Sequence, residues 1–396
     1  MGRGAKRRNR RTGASFGRGP ARDPYLGAGM TLSLRSGLLA LCALCVAGTS
    51  GRVLAQAALS YEAGAHYGLL LPQYDFLRPI TTDAIRSAEV AVTWPLRRRD
   101  HWGELYNRPE RGVSLFASTL GGREHLGGEI AATYFFRYYY LRRGRVGVYQ
   151  RFGIGLTYAT RPFDLERNYR NVAIASHLNA HFGTRLGVSV RASPRWRARA
   201  GLSFDHLSNA NSREPNRGLN YLTAFVGASY TPSPAADAGP VDVPPAPRHT
   251  ELLVVGYGGR KSSKGYNERY HGTAAVSLEA RRRLGWRLSA EVGADLTYNG
   301  SVRTGAEVRG VPYRPRDDYQ TGLHAGPVLH YRRWAFGLQT GAYLGLGDAL
   351  QGRPVYNRAL LEYRAGRDLF CRVALRSHVQ ILDFAEGGIA YRLGSW

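Results

Sequence analysis

Over most of its length the chain repeats segments of about ten residues in which apolar and polar side chains alternate, the period of a membrane-spanning strand. In one segment Val146, Val148, Phe152, Ile154, Leu156 and Tyr158 share a face, broken by Gln150, and Gly147, Tyr149, Arg151, Gly153, Gly155 and Thr157 share the other. In another, Leu288, Ala290, Val292, Ala294 and Leu296 oppose Arg287, Ser289, Glu291, Gly293, Asp295 and Thr297. Charges on the second face are incompatible with lipid, so that face must line an interior while the apolar face meets acyl chains. Such runs number about eight before residue 232 and about eight after 250, an even total of the kind bacterial barrels prefer. The predicted class is therefore all-β, a transmembrane antiparallel outer-membrane β-barrel. A Pro- and Ala-rich joint over residues 232–249 cannot pair in a sheet, and it suits one large barrel or two tandem barrels equally.

If the first strand rises from the periplasm, the connections sort by length. Tight basic turns near Arg142 to Arg145, Ser193 to Arg195, Arg282 to Gly285 and Arg332 to Arg333 fall inside, and the long segments near 160–178, 209–218 and 299–318 fall outside, as in known barrels. The long inner connection at 98–111 runs against this scheme. Trp94, Trp196, Trp286 and Trp334 all land at inner strand ends, the interfacial position that an amphipathic ring favours. Tyr391, Leu393 and Trp396 end the chain as an aromatic last strand of the kind barrel-assembly machinery recognises. A soluble β-sandwich is the bland alternative, but it would not repeat an apolar outer face beside charged interiors.

Composition changes this picture little. Of 396 residues, 49 are Gly and 25 are Tyr, which suits strands better than a soluble helical enzyme. The net charge of +26 would suggest a nucleic-acid partner. Yet Lys6, Lys261 and Lys264 are the only lysines, and the arginines recur singly along strands or at turns, so nucleic acid is not expected. From Met30 the chain has a secretory signal: Arg35 in the n-region, Gly37 to Gly48 as the apolar core, and Ala55-Gln56-Ala57 as the cleavage site. The expected division is a basic extension at 1–29, a signal at 30–57, a first barrel half at 58–231, the linker at 232–249 and a second half at 250–396. Export to the outer membrane follows. Cys42 and Cys45 leave with the signal, so Cys371 remains alone and no internal disulfide is expected.

One strand carries candidate chemistry. Trp196, Ala198, Ala200, Leu202, Phe204, His206 and Ser208 share the apolar parity, so an imidazole and a hydroxyl continue the lipid-facing column at its outer end. Positions i and i+2 on a strand lie about 6.6 Å apart at the backbone, within reach for a base leaning toward a nucleophile. On the neighbouring strand Asn220 has the same outward parity, whereas Asp205 points inward and is a poor third member. The intervening loop, with Asn209, Asn211, Asn216 and Gly218, offers amide donors for an oxyanion hole. By spacing alone, a His-x-Ser is more often a strand-end decoration than a catalytic pair. The remaining histidines, such as His66, His181, His324, His330 and His378, occur singly on inward parities with no metal-ligand spacing. Arg161, Arg167 and Arg170 suit either phosphate binding or a solvated loop.

The stretch DHLSNANSREPNRGLNYLTAFVGASY, residues 205–230, resembles the active-site region of the PagL-type lipid A 3-O-deacylases, also called acyloxyacyl hydrolases. Their pattern of His-x-Ser-Asn followed by Pro-Asn-x-Gly is met by His206, Ser208, Asn209, Pro215, Asn216 and Gly218. The resemblance implies an eight-stranded outer-membrane barrel, Ser208 as nucleophile, His206 as base, and oxyanion support from the Asn209, Asn216 and Gly218 region. No metal or cofactor is implied, and the expected partner is lipid A or lipopolysaccharide among outer-membrane lipids. Asn220 departs from the family's glutamate: an amide orients an imidazole but does not stabilise its cation, and Glu214 is a possible substitute from the loop. Residues 250–396 resemble the longer two-part relatives, without a role assigned to that half. Two rival readings are a non-catalytic pore or structural barrel, and a calcium-dependent phospholipase, although no carboxylate cluster stands near Ser208. Oligomeric state is not legible.

Overall fold

The computed structural model describes residues 59–96, 100–209, 213–234, 239, 241–262, 269–344, 354–378 and 381–396. The expected extension at 1–29 and nearly all of the joint's centre at 235–240 lie outside them, as does the signal at 30–57.

Eight strands precede the joint: β1 (Ser60–Leu70), β2 (Ile85–Pro95), β3 (Glu110–Thr119), β4 (Gly128–Arg143), β5 (Val146–Ala159), β6 (Leu178–Arg191), β7 (Trp196–Ser208) and β8 (Leu219–Tyr230). Eight follow it: β9 (Thr250–Ser262), β10 (Tyr270–Arg283), β11 (Leu288–Asn299), β12 (Tyr319–Tyr331), β13 (Trp334–Leu344), β14 (Val355–Arg364), β15 (Leu369–His378) and β16 (Ile381–Ser395). Each pairs antiparallel with its sequence neighbour, β8 returns to β1, and β16 returns to β9. The two tandem barrels left open by the sequence are thus realised, and one large barrel is not.

Alternation explains both walls. On β5, Ile154 and Tyr158 face outward and are exposed, while Tyr149 and Arg151 turn inward and are buried. Gln150, the break in the outward face, donates from its amide to Thr184 on β6, so the two polar groups satisfy each other. On β11, Val292 and Leu296 are exposed, while Glu291 and Asp295 are buried.

Inward charges meet partners from other strands. In the first barrel the Arg137 guanidinium bridges Glu62 at 2.7 Å and Glu110 at 2.9 Å, and Arg151 and Arg185 both bind Glu89. In the second, Arg281 joins Glu291 at 2.6 Å and Glu362 at 2.7 Å, and Arg372 joins Glu279 and Glu362, each at 2.7 Å. Arg358 joins Asp295 at 2.9 Å and Glu386 at 3.1 Å. A guanidinium suits this work because its planar fork serves two carboxylates at once. Removing one partner would leave a buried charge, at a cost of about 3–5 kcal/mol. Among the described residues, long side chains thus meet across both interiors.

The outer mouth of the first barrel is closed differently. Outer connections lay Leu77, Ile80, Leu120, Leu126, Ala173 and Ile174 over it, where they pack with Leu207, Leu219 and Tyr221 from β7 and β8. This apolar lid holds the outer ends of the two strands that carry the candidate chemistry.

The long inner connection that ran against the topology has its own structure. Asp100 accepts from the Gly103 amide at 3.1 Å and starts helix α1 (His101–Leu105). The segment rests on turns of the second barrel: Asp100 pairs with Arg332 at 2.7 Å, the Tyr106 hydroxyl donates to the His330 carbonyl at 2.6 Å, and Trp102 meets Trp286 edge-on. Its extra length therefore bridges the barrels instead of contradicting the topology. Trp196 and Trp334 stand exposed at the same end, whereas Trp94 is buried, with the Arg111 guanidinium beside its ring.

Among the described residues, ion-paired side chains cross both interiors where an open channel would run. Purified protein in planar bilayers is expected to show no steady conductance at neutral pH; persistent single-channel steps would contradict the plugged interior.

Candidate active site

Strand geometry brings the candidate residues together. Leu207 and Leu219 turn inward and are fully buried in the apolar lid, which forces their neighbours His206, Ser208 and Asn220 to the outer wall. His206 and Asn220 are direct cross-strand partners, and across β6 Ala180 faces Ser208 while Phe182 faces His206.

The three polar groups form one hydrogen-bonded chain. His206 Nε2 lies 3.1 Å from Ser208 Oγ, and His206 Nδ1 lies 2.6 Å from Asn220 Oδ1. An amide oxygen only accepts, so the proton sits on Nδ1 and the Nε2 lone pair faces the hydroxyl. That tautomer lets a neutral imidazole take the serine proton. All three side chains are half-buried, in reach of a lipid pressed against the wall.

Asp205 turns inward, where it meets His181 at 3.2 Å and Ser203 at 2.6 Å, in keeping with its exclusion from the site. The Glu214 carboxylate accepts from the Asn216 amide at 3.0 Å, and among the described bonds it makes none to His206. As a replacement for the family's glutamate it therefore finds no support. His66 and His181 are likewise buried inside the first barrel, and His324 and His330 inside the second. Arg161 donates to the Glu124 carbonyl at 2.6 Å, and Arg167 and Arg170 are exposed on the same loop. Asp164 accepts from the Arg167 and Glu166 amides there, which holds its carboxyl below the usual range.

The expected oxyanion donors divide. Asn209 donates its backbone N–H to Asn216 Oδ1 at 3.1 Å and its side-chain amide to the Arg213 carbonyl at 2.7 Å. Gly218 donates its N–H to the Ala173 carbonyl at 3.0 Å. Those amides are engaged in folding the loop, so Asn209 and Gly218 do not present them to a substrate in this structure. Among the described residues the NH2 group of Asn216 makes no hydrogen bond, and it is the donor of the three left over. Asn211 lies outside the described residues.

Gly218 has a different use. Its φ of +69° lies in the left-handed region, and a Cβ built there would stand 2.9 Å from His206 Cε1. The residue gives the chain its turn and the imidazole its room.

Sequence reasoning missed Gln73. Its side-chain oxygen accepts from Asn220 Nδ2, and its own amide donates to the Arg217 carbonyl at 3.3 Å. Nothing in the β7–β8 motif announces a partner 147 residues away. The parity of Asn220 was the only available signal, because an outward carboxamide with one face on an imidazole needs a partner for the other.

Residues 86–229 match the family model described as lipid A 3-O-deacylase (PagL), and residues 250–396 match acyloxyacyl hydrolase, C-terminal domain. The chain belongs to the PagL family of lipid A 3-O-deacylases. It is a hydrolytic enzyme, and the second barrel is the C-terminal domain of the family's two-part form. Similar solved structures include the outer membrane enzyme PagL, 15% identical over 42% of this chain and 97% of that one, with a TM-score of 0.31. Neisserial surface protein A is 11% identical over 44% of this chain and 97% of that one, with a TM-score of 0.30. A porin of Rh. blastica is 11% identical over 85% and 100%, with a TM-score of 0.17. No curated protein matches by sequence.

Substitution at the tight loop position gives a direct check. Gly218→Ala should leave the barrels assembled but push the imidazole off line, lowering ester hydrolysis by about 100-fold, the scale of a 1 Å misplacement. Wild-type rates in that variant would show that the space beside His206 is not needed.

Proposed function

We propose that the first barrel is a serine esterase that removes the ester-linked 3-hydroxyacyl chain at the 3-position of lipid A. The observation that supports this reading is the hydrogen-bonded chain from Ser208 through His206 to Asn220 on the lipid-facing wall. A membrane lipid diffusing in the outer leaflet reaches that wall without leaving the bilayer. A soluble ester would have to enter the apolar phase first.

In this mechanism Ser208 Oγ attacks the ester carbonyl while His206 Nε2 takes the hydroxyl proton. Asn220 Oδ1 keeps the other imidazole proton on Nδ1 and so preserves the tautomer throughout. The oxyanion that develops on the carbonyl oxygen is met by the Asn216 amide, the donor left over in the loop. Collapse of the tetrahedral species expels the sugar hydroxyl, which takes the proton back from His206. Water, activated by the same imidazole, then releases the fatty acid from Ser208. Because Asn220 is neutral, it does not offset the imidazolium charge as a carboxylate would, and turnover should be slower than with a glutamate at this position.

Delivery to the membrane is part of the same proposal. Residues 30–57 act as an export signal, and the aromatic last strand, with Tyr391 and Leu393 on the outer wall and Trp396 beyond it, is the segment that barrel-assembly machinery takes up.

Ser208→Ala and His206→Ala are each expected to abolish release of 3-hydroxy fatty acid while the barrels still assemble. Lipid A from cells expressing wild type should lose the mass of one 3-hydroxyacyl chain, and lipid A from cells expressing either variant should keep it. An unchanged mass loss with both variants would overturn the assignment.

A further inference from the structure

Resting on the serine-esterase reading, we propose that Gln73 is a positioning residue for the reaction, one that makes the neutral Asn220 usable in place of a carboxylate. A carboxylate is symmetric, and either oxygen accepts from His206 Nδ1–H. A carboxamide has two unlike ends of nearly the same shape. If Asn220 turns about its last bond, NH2 faces Nδ1. The imidazole must then carry its proton on Nε2, and it no longer has a lone pair for Ser208. Such a turn would disable the site without moving any backbone atom.

Three observations make Gln73 the residue that prevents it. Asn220 Nδ2 donates to Gln73 Oε1, so turning the amide would set two oxygens against each other there and two donors against each other at His206. Gln73 is itself fixed, because its NH2 donates to the Arg217 carbonyl at 3.3 Å, which leaves its oxygen as the end that faces Asn220. The backbone reinforces the arrangement: the Leu71 amide donates to the Asn220 carbonyl at 2.8 Å, tying the segment that carries Gln73 to β8. The chain of orientation thus runs from the Arg217 carbonyl through Gln73, Asn220 and His206 to Ser208, each amide dictating the sense of the next.

A structural contact and an orienting contact respond differently to a carboxylate at position 220. The purified full-length protein is assayed on lipid A in mixed micelles as wild type, Gln73→Leu, Asn220→Glu and the double variant. Gln73→Leu should lower kcat about tenfold or more with KM within about twofold, because the lost quantity is the fraction of enzyme in the active tautomer. In the Asn220→Glu background the same change should alter kcat less than about twofold, since no orientation remains to be selected. Gln73→Glu, which still offers an acceptor to the Asn220 NH2, should stay within about threefold of wild type, and it also serves should Gln73→Leu fail to assemble. An equal loss in both backgrounds, or no loss in either, would overturn the orienting role, as would a Gln73→Glu enzyme as slow as Gln73→Leu. Ser208→Ala, run alongside, separates the two claims. Full activity in it overturns the serine mechanism and this proposal together, whereas a dead Ser208→Ala beside an unaffected Gln73→Leu overturns the role of Gln73 alone.

Discussion

The structure depends on the opposed faces of each strand. A residue on a membrane strand meets either acyl chains or the barrel interior, and one step along the chain exchanges the two. Inward charges must then find partners inside, which they do through arginines that each gather two carboxylates, as Arg137 and Arg372 do. Outward polar groups must find partners on the wall. Gln150 and Thr184 form one such pair, and Ser208, His206, Asn220 and Gln73 form a longer chain. The candidate active site is thus an exception to the apolar wall, held in place by the rule its neighbours obey, since Leu207 and Leu219 anchor it from inside.

Alternation made most of this architecture legible before any coordinates. Strand number, the inward turn of Asp205, the outward turn of His206 and the register facing Asn220 all follow from counting by twos. Closure does not follow. Whether β8 pairs with β1 or continues into β9 depends on curvature and on long-range hydrogen bonds that no local pattern carries, so one barrel and two remained equal until the pairings were known. The loop was harder still. Residue type suggests Asn209, Asn216 and Gly218 alike as oxyanion donors, but donors in a folded loop serve the loop first, as those of Asn209 and Gly218 do, and the Asn216 NH2 is left over. Gln73 was invisible because its contact with Asn220 is made by tertiary packing of an irregular segment.

The second barrel repeats the plugged interior without the serine site. Its ion pairs are as dense as those of the first, and its inner turns receive helix α1 and Tyr106 from the first barrel. The connection that looked too long for a periplasmic turn is explained by that contact. A wide pore would need an open lumen, whereas among the described residues paired side chains cross both interiors.

The central claim is that Ser208 is an activated nucleophile facing lipid, and covalent trapping tests it most directly. Membranes holding the full-length protein would be treated with a long-chain alkyl fluorophosphonate, and the adduct located by peptide mass spectrometry. One adduct on the peptide carrying Ser208, absent when His206 is replaced by Ala, is the predicted result. No adduct, or labelling that does not require His206, would contradict it.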